Sequence, residues 1–166
     1  GAQCVALCDV YEPYLEMALK DTPGAKTHIH HEDLLAQHGI DFIVSAGPDH
    51  WHCQHLLDSL KAGKDVYTEK PLSHNLQQSA DMVAAVKKSG KVVQVGMQRR
   101  SAESIMRAKK IVDDGTLGRI TMVKAQWHWN NAKPLNNAPL DGKLHWDRFL
   151  GKAPKRALEP QRGRTW

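Results

Sequence analysis

No stretch of this sequence stays apolar for the roughly 20 residues that a membrane-spanning helix requires, so neither a span nor a membrane partner is expected. Cysteine is scarce. Cys4, Cys8 and Cys53 form an odd set without a CxxC pair, which excludes a disulfide framework and suits reduced thiols in the cytoplasm. Cys4 and Cys8 lie an even number of residues apart, so on a strand they share a face, expected to be the core side. No basic-then-apolar leader opens the chain, but it starts without Met inside an apolar run. The expectation is therefore cytoplasmic, with a secretion leader further upstream left open.

An excess of one charge is also missing from most of the chain. The net charge of +5 lies in residues 143–166, where seven bases face two acids; the rest balances at 16 bases and 16 acids. A basic stretch punctuated by Pro and Gly, without a reading helix or an RNA-binding signature, reads as a solvated loop or a clamp over a neighbouring domain. It does not read as a nucleic-acid surface.

What is present is an alternation of short apolar runs and amphipathic segments. Cys4–Asp9, Thr27–His30, Phe42–Ala46, Asp65–Glu69 and Val92–Gly96 read as strands, and FIVSA is continuous enough to be buried on both faces. Between them, helical spacing predicts helices over Glu12–Lys20, His31–Gln37, a segment with Cys53, Leu56, Leu57 and Leu60 inward, and one with Leu76, Ala80, Val83 and Val86 inward. Asn75 with Gln78 resembles a capping box, and Gly63 and Gly90 supply stops. Ser101–Asp114 is a further helix with Ile105, Ala108 and Val112 inward, and Ile120–Trp129 a longer strand. Such strand–helix units predict an α/β fold with a doubly wound parallel sheet over residues 1–98. A second, α+β domain is expected to begin at about residue 99 and to run through 166.

Ligands of open parallel sheets bind outside the carboxyl ends of the strands, and the unusual residues gather there. Asp9 closes the first strand; Ala46, Gly47, Pro48, Asp49, His50, Trp51 and His52 follow the third. Glu69, Lys70 and Pro71 close the fourth, and Gly96, Met97, Gln98, Arg99 and Arg100 the fifth.

These clusters carry a resemblance. The stretch from Gly63 to Leu72 looks like the EKP segment of the glucose–fructose oxidoreductase / inositol dehydrogenase (Gfo/Idh/MocA) family. Ala46-Gly47-Pro48 with His52 resembles its strand-end motif, Gly96–Arg100 its G-F/M-x-x-R segment, and Gly115–Gly118 its entry into a second domain. The resemblance implies an incomplete Rossmann-like domain followed by the start of a substrate domain. The family's opening strand with its GxGxxG turn has no counterpart here, and its further catalytic residues lie beyond position 166.

The implied function is hydride transfer between a nicotinamide cofactor and a secondary alcohol of a sugar or polyol, by a protein that is a homo-oligomer when complete. The same fold without catalysis, sensing nicotinamide or sugar, is the alternative. Cofactor-binding expectations fall on Asp9, Ala46, Gly47, Pro48, His52, Glu69, Lys70 and Gln98. Asp9 stands where an acid holds the adenosine ribose hydroxyls, and its charge opposes a 2′-phosphate, so NAD is favoured over NADP. The lesser alternative is a strand-end acid capping the next helix. Lys70 is the catalytic candidate, able to relay the hydroxyl proton as hydride leaves; otherwise it is a surface lysine beside a turn proline. Pro71 holds it extended, and a cis Lys70–Pro71 bond is one option. Glu69 orients Lys70 or meets a ribose.

Ten histidines raise the question of a metal. His28, His30 and His31 crowd one turn and His52 and His55 are spaced i, i+3, but neither set has a ligand pattern with carboxylate or thiolate, so no metal is expected. Trp127 and Trp129 alternate onto one face, which could pack a sheet on helices or stack on a sugar ring.

Overall fold

The computed structural model describes residues 1–128 and 136–164. Five short strands alternate with helices: β1 (Ala6–Cys8), α1 (Glu12–Asp21), β2 (Lys26–His28), α2 (His31–Leu35), β3 (Phe42–Ser45), α3 (His52–Lys61), β4 (Asp65–Glu69), α4 (Leu76–Ser89) and β5 (Val93–Gly96). After them come α5 (Glu103–Asp113), α6 (Trp146–Leu150) and α7 (Pro160–Arg164), with 3₁₀ turns at Asp49–Trp51 and Gln98–Ser101. The strands form two sheet pieces, β1-β2 and β3-β4-β5. β1 pairs parallel with β2, and β3 parallel with β4 from Phe42↔Asp65 to Ser45↔Thr68. The expected α/β architecture with parallel strands is thus present.

One core holds the second piece together. Cys53, Leu56 and Leu60 of α3 meet Val66 of β4 and Met82 of α4, with Leu57, Leu72, Ala85, Val86 and Val93 packed around them. The α3 stripe is the one expected from its spacing, and β4 alternates as a strand should, burying Val66 and Thr68. The cap of α4 is also realised. Asn75 Oδ1 accepts from Gln78 N at 2.9 Å, while the Gln78 side chain turns back to accept from His74 N at 3.0 Å, one residue earlier than in the standard box.

Several faces differ from expectation. Cys4 and Cys8 are exposed rather than in the core. β3 has a neighbour only at β4 among the described residues, so Phe42 and Val44 stay exposed and FIVSA is not buried on both faces. In α4 the core takes Met82, Ala85 and Val86, leaving Leu76 and Val83 outside: the buried stripe is rotated from the one expected, with Val86 common to both. Residues 120–128 are not a strand. Trp127 lies near Arg99, whose guanidinium carbon is 5.8 Å from its ring centre; Trp129 falls outside the described residues.

The chain divides into two units, Gly1–Val95 with Asn136–Trp166, and Gly96–Leu135. Residues 136–164 therefore pack on the first unit, whereas a linear division near residue 98 assigns them to a second domain. The Gly96–Leu135 unit is built on α5, whose exposed face carries the i, i+4 pairs Glu103–Arg107, Lys109–Asp113 and Lys110–Asp114. Ile105 and Val112, expected inward, are exposed.

Candidate functional site

The carboxyl ends of β1 and β3 open into a small pocket of ≈ 80 Å³. Its lining joins Cys8, Asp9 and Val10 after β1, Ile29 and His31 after β2, and Gly47, Pro48, Trp51 and His55 after β3. Arg148 and Phe149 complete it from α6.

Asp9 stands at the end of β1, and its Oδ1 accepts from Tyr11 N at 2.8 Å as the chain turns into α1. That contact is a turn bond only: the N-cap of α1 is Tyr11 and no side chain caps the helix, so Asp9 does not act as its cap. The carboxyl also faces the pocket, where desolvation raises its pKa against the lowering effect of the Tyr11 and Val10 backbone amides. Cys8 beside it has its thiol pushed up to about 12, first by desolvation and then by the charge of Asp9. Such a thiol is a poor nucleophile and a neutral wall.

The wall after β3 is aromatic and uncharged. Trp51 and His55, one helical turn apart, stack with centroids 5.2 Å apart and an interplanar angle of 19°. Burial, then the neighbouring His31 and His52, lower the His55 pKa to about 4, so its ring is neutral at physiological pH. A Cβ at position 47 would stand 3.1 Å from the His55 ring, so Gly47 permits the close approach of this loop to α3. His31 is fixed by partners: its Nε2 donates to Asp58 Oδ2 at 2.8 Å, and its Nδ1 lies 3.2 Å from the Arg148 guanidinium. Those partners fix the orientation of the ring. Asp58 stays below the usual carboxylate range although desolvation acts upward, because His31 and Gln54 donate to it.

His52 is almost fully buried, with Nδ1 2.5 Å from Pro71 O and Nε2 2.7 Å from Gly47 O. It does not line the pocket. It ties the loop after β3 to the turn after β4, and so sets where Lys70 begins. The Lys70–Pro71 bond is cis, and Lys70 itself is exposed. Of the residues expected to bind cofactor, Asp9, Gly47 and Pro48 line the pocket. Ala46, Glu69 and Lys70 do not line it, though all three sit at the same strand ends. Gln98 belongs to the other unit.

Sequence reasoning missed His31, Trp51, His55, Arg148 and Phe149 as pocket residues. Trp51 and His55 carried a signal, since they follow a strand end at i, i+4 spacing. Arg148 and Phe149 carried none beyond the local basicity of their segment. Among the described residues no group of three or more His, Cys, Asp or Glu side chains is placed to hold a metal ion.

Residues 1–97 match the family model described as the oxidoreductase family with an NAD-binding Rossmann fold, GFO_IDH_MocA. The chain is 33% identical over 132 residues to the inositol 2-dehydrogenase/D-chiro-inositol 3-dehydrogenase of Lactiplantibacillus plantarum, covering 78% of this chain and 37% of that protein. Among solved structures, the myo-inositol 2-dehydrogenase of Lactobacillus plantarum superimposes with a TM-score of 0.68 at 30% identity, over 72% of this chain and 36% of that one. The scyllo-inositol dehydrogenase of Lactobacillus casei, solved with NAD(H) and scyllo-inositol, gives 0.66 at 27% identity over 72% and 35%. The chain thus spans less than two fifths of the length of these relatives.

Proposed function

The chain belongs to the GFO_IDH_MocA oxidoreductase family, with its NAD-binding Rossmann fold, and we propose that the complete protein moves a hydride between NAD and a secondary alcohol of a sugar or polyol. The observation that carries this reading is the pocket at the carboxyl ends of β1 and β3 with the Asp9 carboxylate in its wall. An acid at that place accepts hydrogen bonds from the adenosine ribose hydroxyls and repels a 2′-phosphate, which favours NAD over NADP. Gly47 and Pro48 of the loop after β3 line the same pocket. The nicotinamide ring, when bound, supplies the hydride chemistry.

This chain's own contribution to the chemistry centres on Lys70. Oxidation of an alcohol removes a hydride from carbon and a proton from oxygen, and the proton needs a positioned acceptor. The Lys70 amine takes it, or donates to the hydroxyl that passes it on. Pro71 and the His52 bridge between Pro71 O and Gly47 O orient the backbone from which that side chain springs. His52 is a positioning residue in this scheme and Glu69 a neighbour that orients the ammonium group or meets a ribose.

The test is turnover of inositols and other polyols by the complete protein with NAD and NADP, compared with Lys70→Met. We expect NAD to be preferred, and Lys70→Met to keep NAD affinity while kcat falls by roughly 10²–10⁴, the worth of one acid–base group. Near-normal turnover of Lys70→Met removes Lys70 from the chemistry. Binding of NAD with no turnover of any polyol makes the protein a sensor instead.

A further inference from the structure

The segment that returns from the second unit, residues 141–151, crosses the mouth of this pocket and is fastened on both sides of it. On one side it meets the entry to α1. Tyr11 and Leu144 form an antiparallel bridge, Glu12 N donates to Lys143 O at 3.0 Å and His145 N to Val10 O at 2.8 Å. The Tyr11 hydroxyl donates to Asp141 O, and His145 Nε2 lies 2.8 Å from Glu12 Oε1. On the other side it meets the turn after β3. His50 Nε2 and Trp51 Nε1 both donate to Phe149 O, at 2.6 and 2.9 Å. The Arg148 guanidinium lies 5.4 Å from the Trp51 ring centre and pairs with Glu32 at the start of α2.

Two details show that this seat is built. Phe149 and Leu150 are buried, although they come from a basic, loop-rich stretch. Gly151 has φ 57°, and a Cβ there would stand 2.8 Å from the Trp51 ring, so the close turn past the tryptophan requires glycine. Between the two fastenings, Arg148 and Phe149 are the residues that the segment contributes to the pocket wall.

We propose that residues 141–151 are part of the dinucleotide site: a clasp that forms the outer wall around the adenosine end, and whose opening sets the rate at which the cofactor leaves. The inference rests on the reading of the pocket as a dinucleotide site and adds to it a binding element for which Asp9, the 46–48 loop and Lys70 give no cue. The polar fastenings are each worth about 0.5–1.5 kcal/mol net, so removing one makes opening easier, while Phe149 and Leu150 are the buried contacts that opening must break. A bound adenosine is then released at its intrinsic rate multiplied by the fraction of time the clasp is open. The same fastenings gate entry and exit, so loosening either one raises dissociation and association by similar factors and leaves affinity little changed.

The experiment uses the complete protein and NADH, with dissociation and association followed by stopped-flow fluorescence. Trp51 and Arg148 touch the pocket, so the informative substitutions are Tyr11→Phe and Glu32→Gln, one on each side and neither in its lining. Each is expected to speed NADH release roughly 3- to 10-fold, as loss of one such hydrogen bond implies, with association speeded by a similar factor and Kd altered less than about 2-fold. The double substitution is expected to approach the product of the two if the fastenings act independently. Unchanged release in both variants, in a protein that does bind NADH, overturns the clasp and leaves the functional reading standing. If the unaltered protein binds neither NADH nor NADPH, the dinucleotide reading itself falls, and the clasp with it.

Discussion

Helices α3 and α5 are nearly equal in length and both amphipathic, yet they end in opposite circumstances. The apolar face of α3 meets β3, β4 and α4, and Cys53, Leu56 and Leu60 are at most 8% exposed. On α5, Ile105, Met106, Ile111 and Val112 are between 44% and 60% exposed, and no residue of the helix is buried. The same kind of pattern thus yields a core in one place and a bare stripe in the other. Amphipathicity states a demand for a partner surface; only the presence of that surface turns it into stability.

Substitutions in the 166-residue chain should expose that difference directly. Leu56→Ala removes a side chain that is 1% exposed at the centre of the α3–β4–α4 cluster, and should cost about 2–5 kcal/mol in urea unfolding followed by circular dichroism. A loss below about 1 kcal/mol would mean that this cluster does not hold the chain together. Acidification should find the next largest effect, because α3 also carries His55. Its folded pKa is depressed to about 4 from 6.5, so the unfolded chain binds more protons between those values. The stability contributed by neutral His55 is therefore complete above pH 6.5 and is lost as pH falls toward about 4. His55→Gln should flatten the pH dependence of stability in that window; an unaltered slope would assign it to other groups. On α5 the expectation is nearly nothing. Ile105→Ser should change stability by no more than about 0.5 kcal/mol, the usual range for an exposed site. A cost as large as that of Leu56→Ala would show that the α5 stripe is covered in solution.

The strand–helix alternation was legible because each period answers a local question. FIVSA and DVYTE cannot satisfy helical spacing, and Cys53, Leu56 and Leu60 cannot satisfy a strand's alternation. Part of the pocket was legible for a related reason. A parallel sheet puts its loops at one end, so a residue that closes a strand, such as Asp9 or Gly47, is placed by topology alone. Other side-chain placements were not. The rotated face of α4 was settled by Met82 fitting against α3 and β4, and the exposure of Phe42 and Val44 by the single neighbour of β3.

What the sequence determined by itself is the order of elements from β1 to α5, the parallel α/β class and the family, since these rest on local periodicity and on motifs that each fit within a few residues. What the tertiary structure alone decided is the outer wall of the pocket. Arg148 pairs with Glu32, and the Phe149 carbonyl accepts from Trp51. Those partners lie 116 and 98 positions apart in the chain, so no local pattern joins them. The link exists because residues 136–164 fold back onto the first unit, where a buried phenylalanine and a glycine turn past Trp51 give the segment a seat.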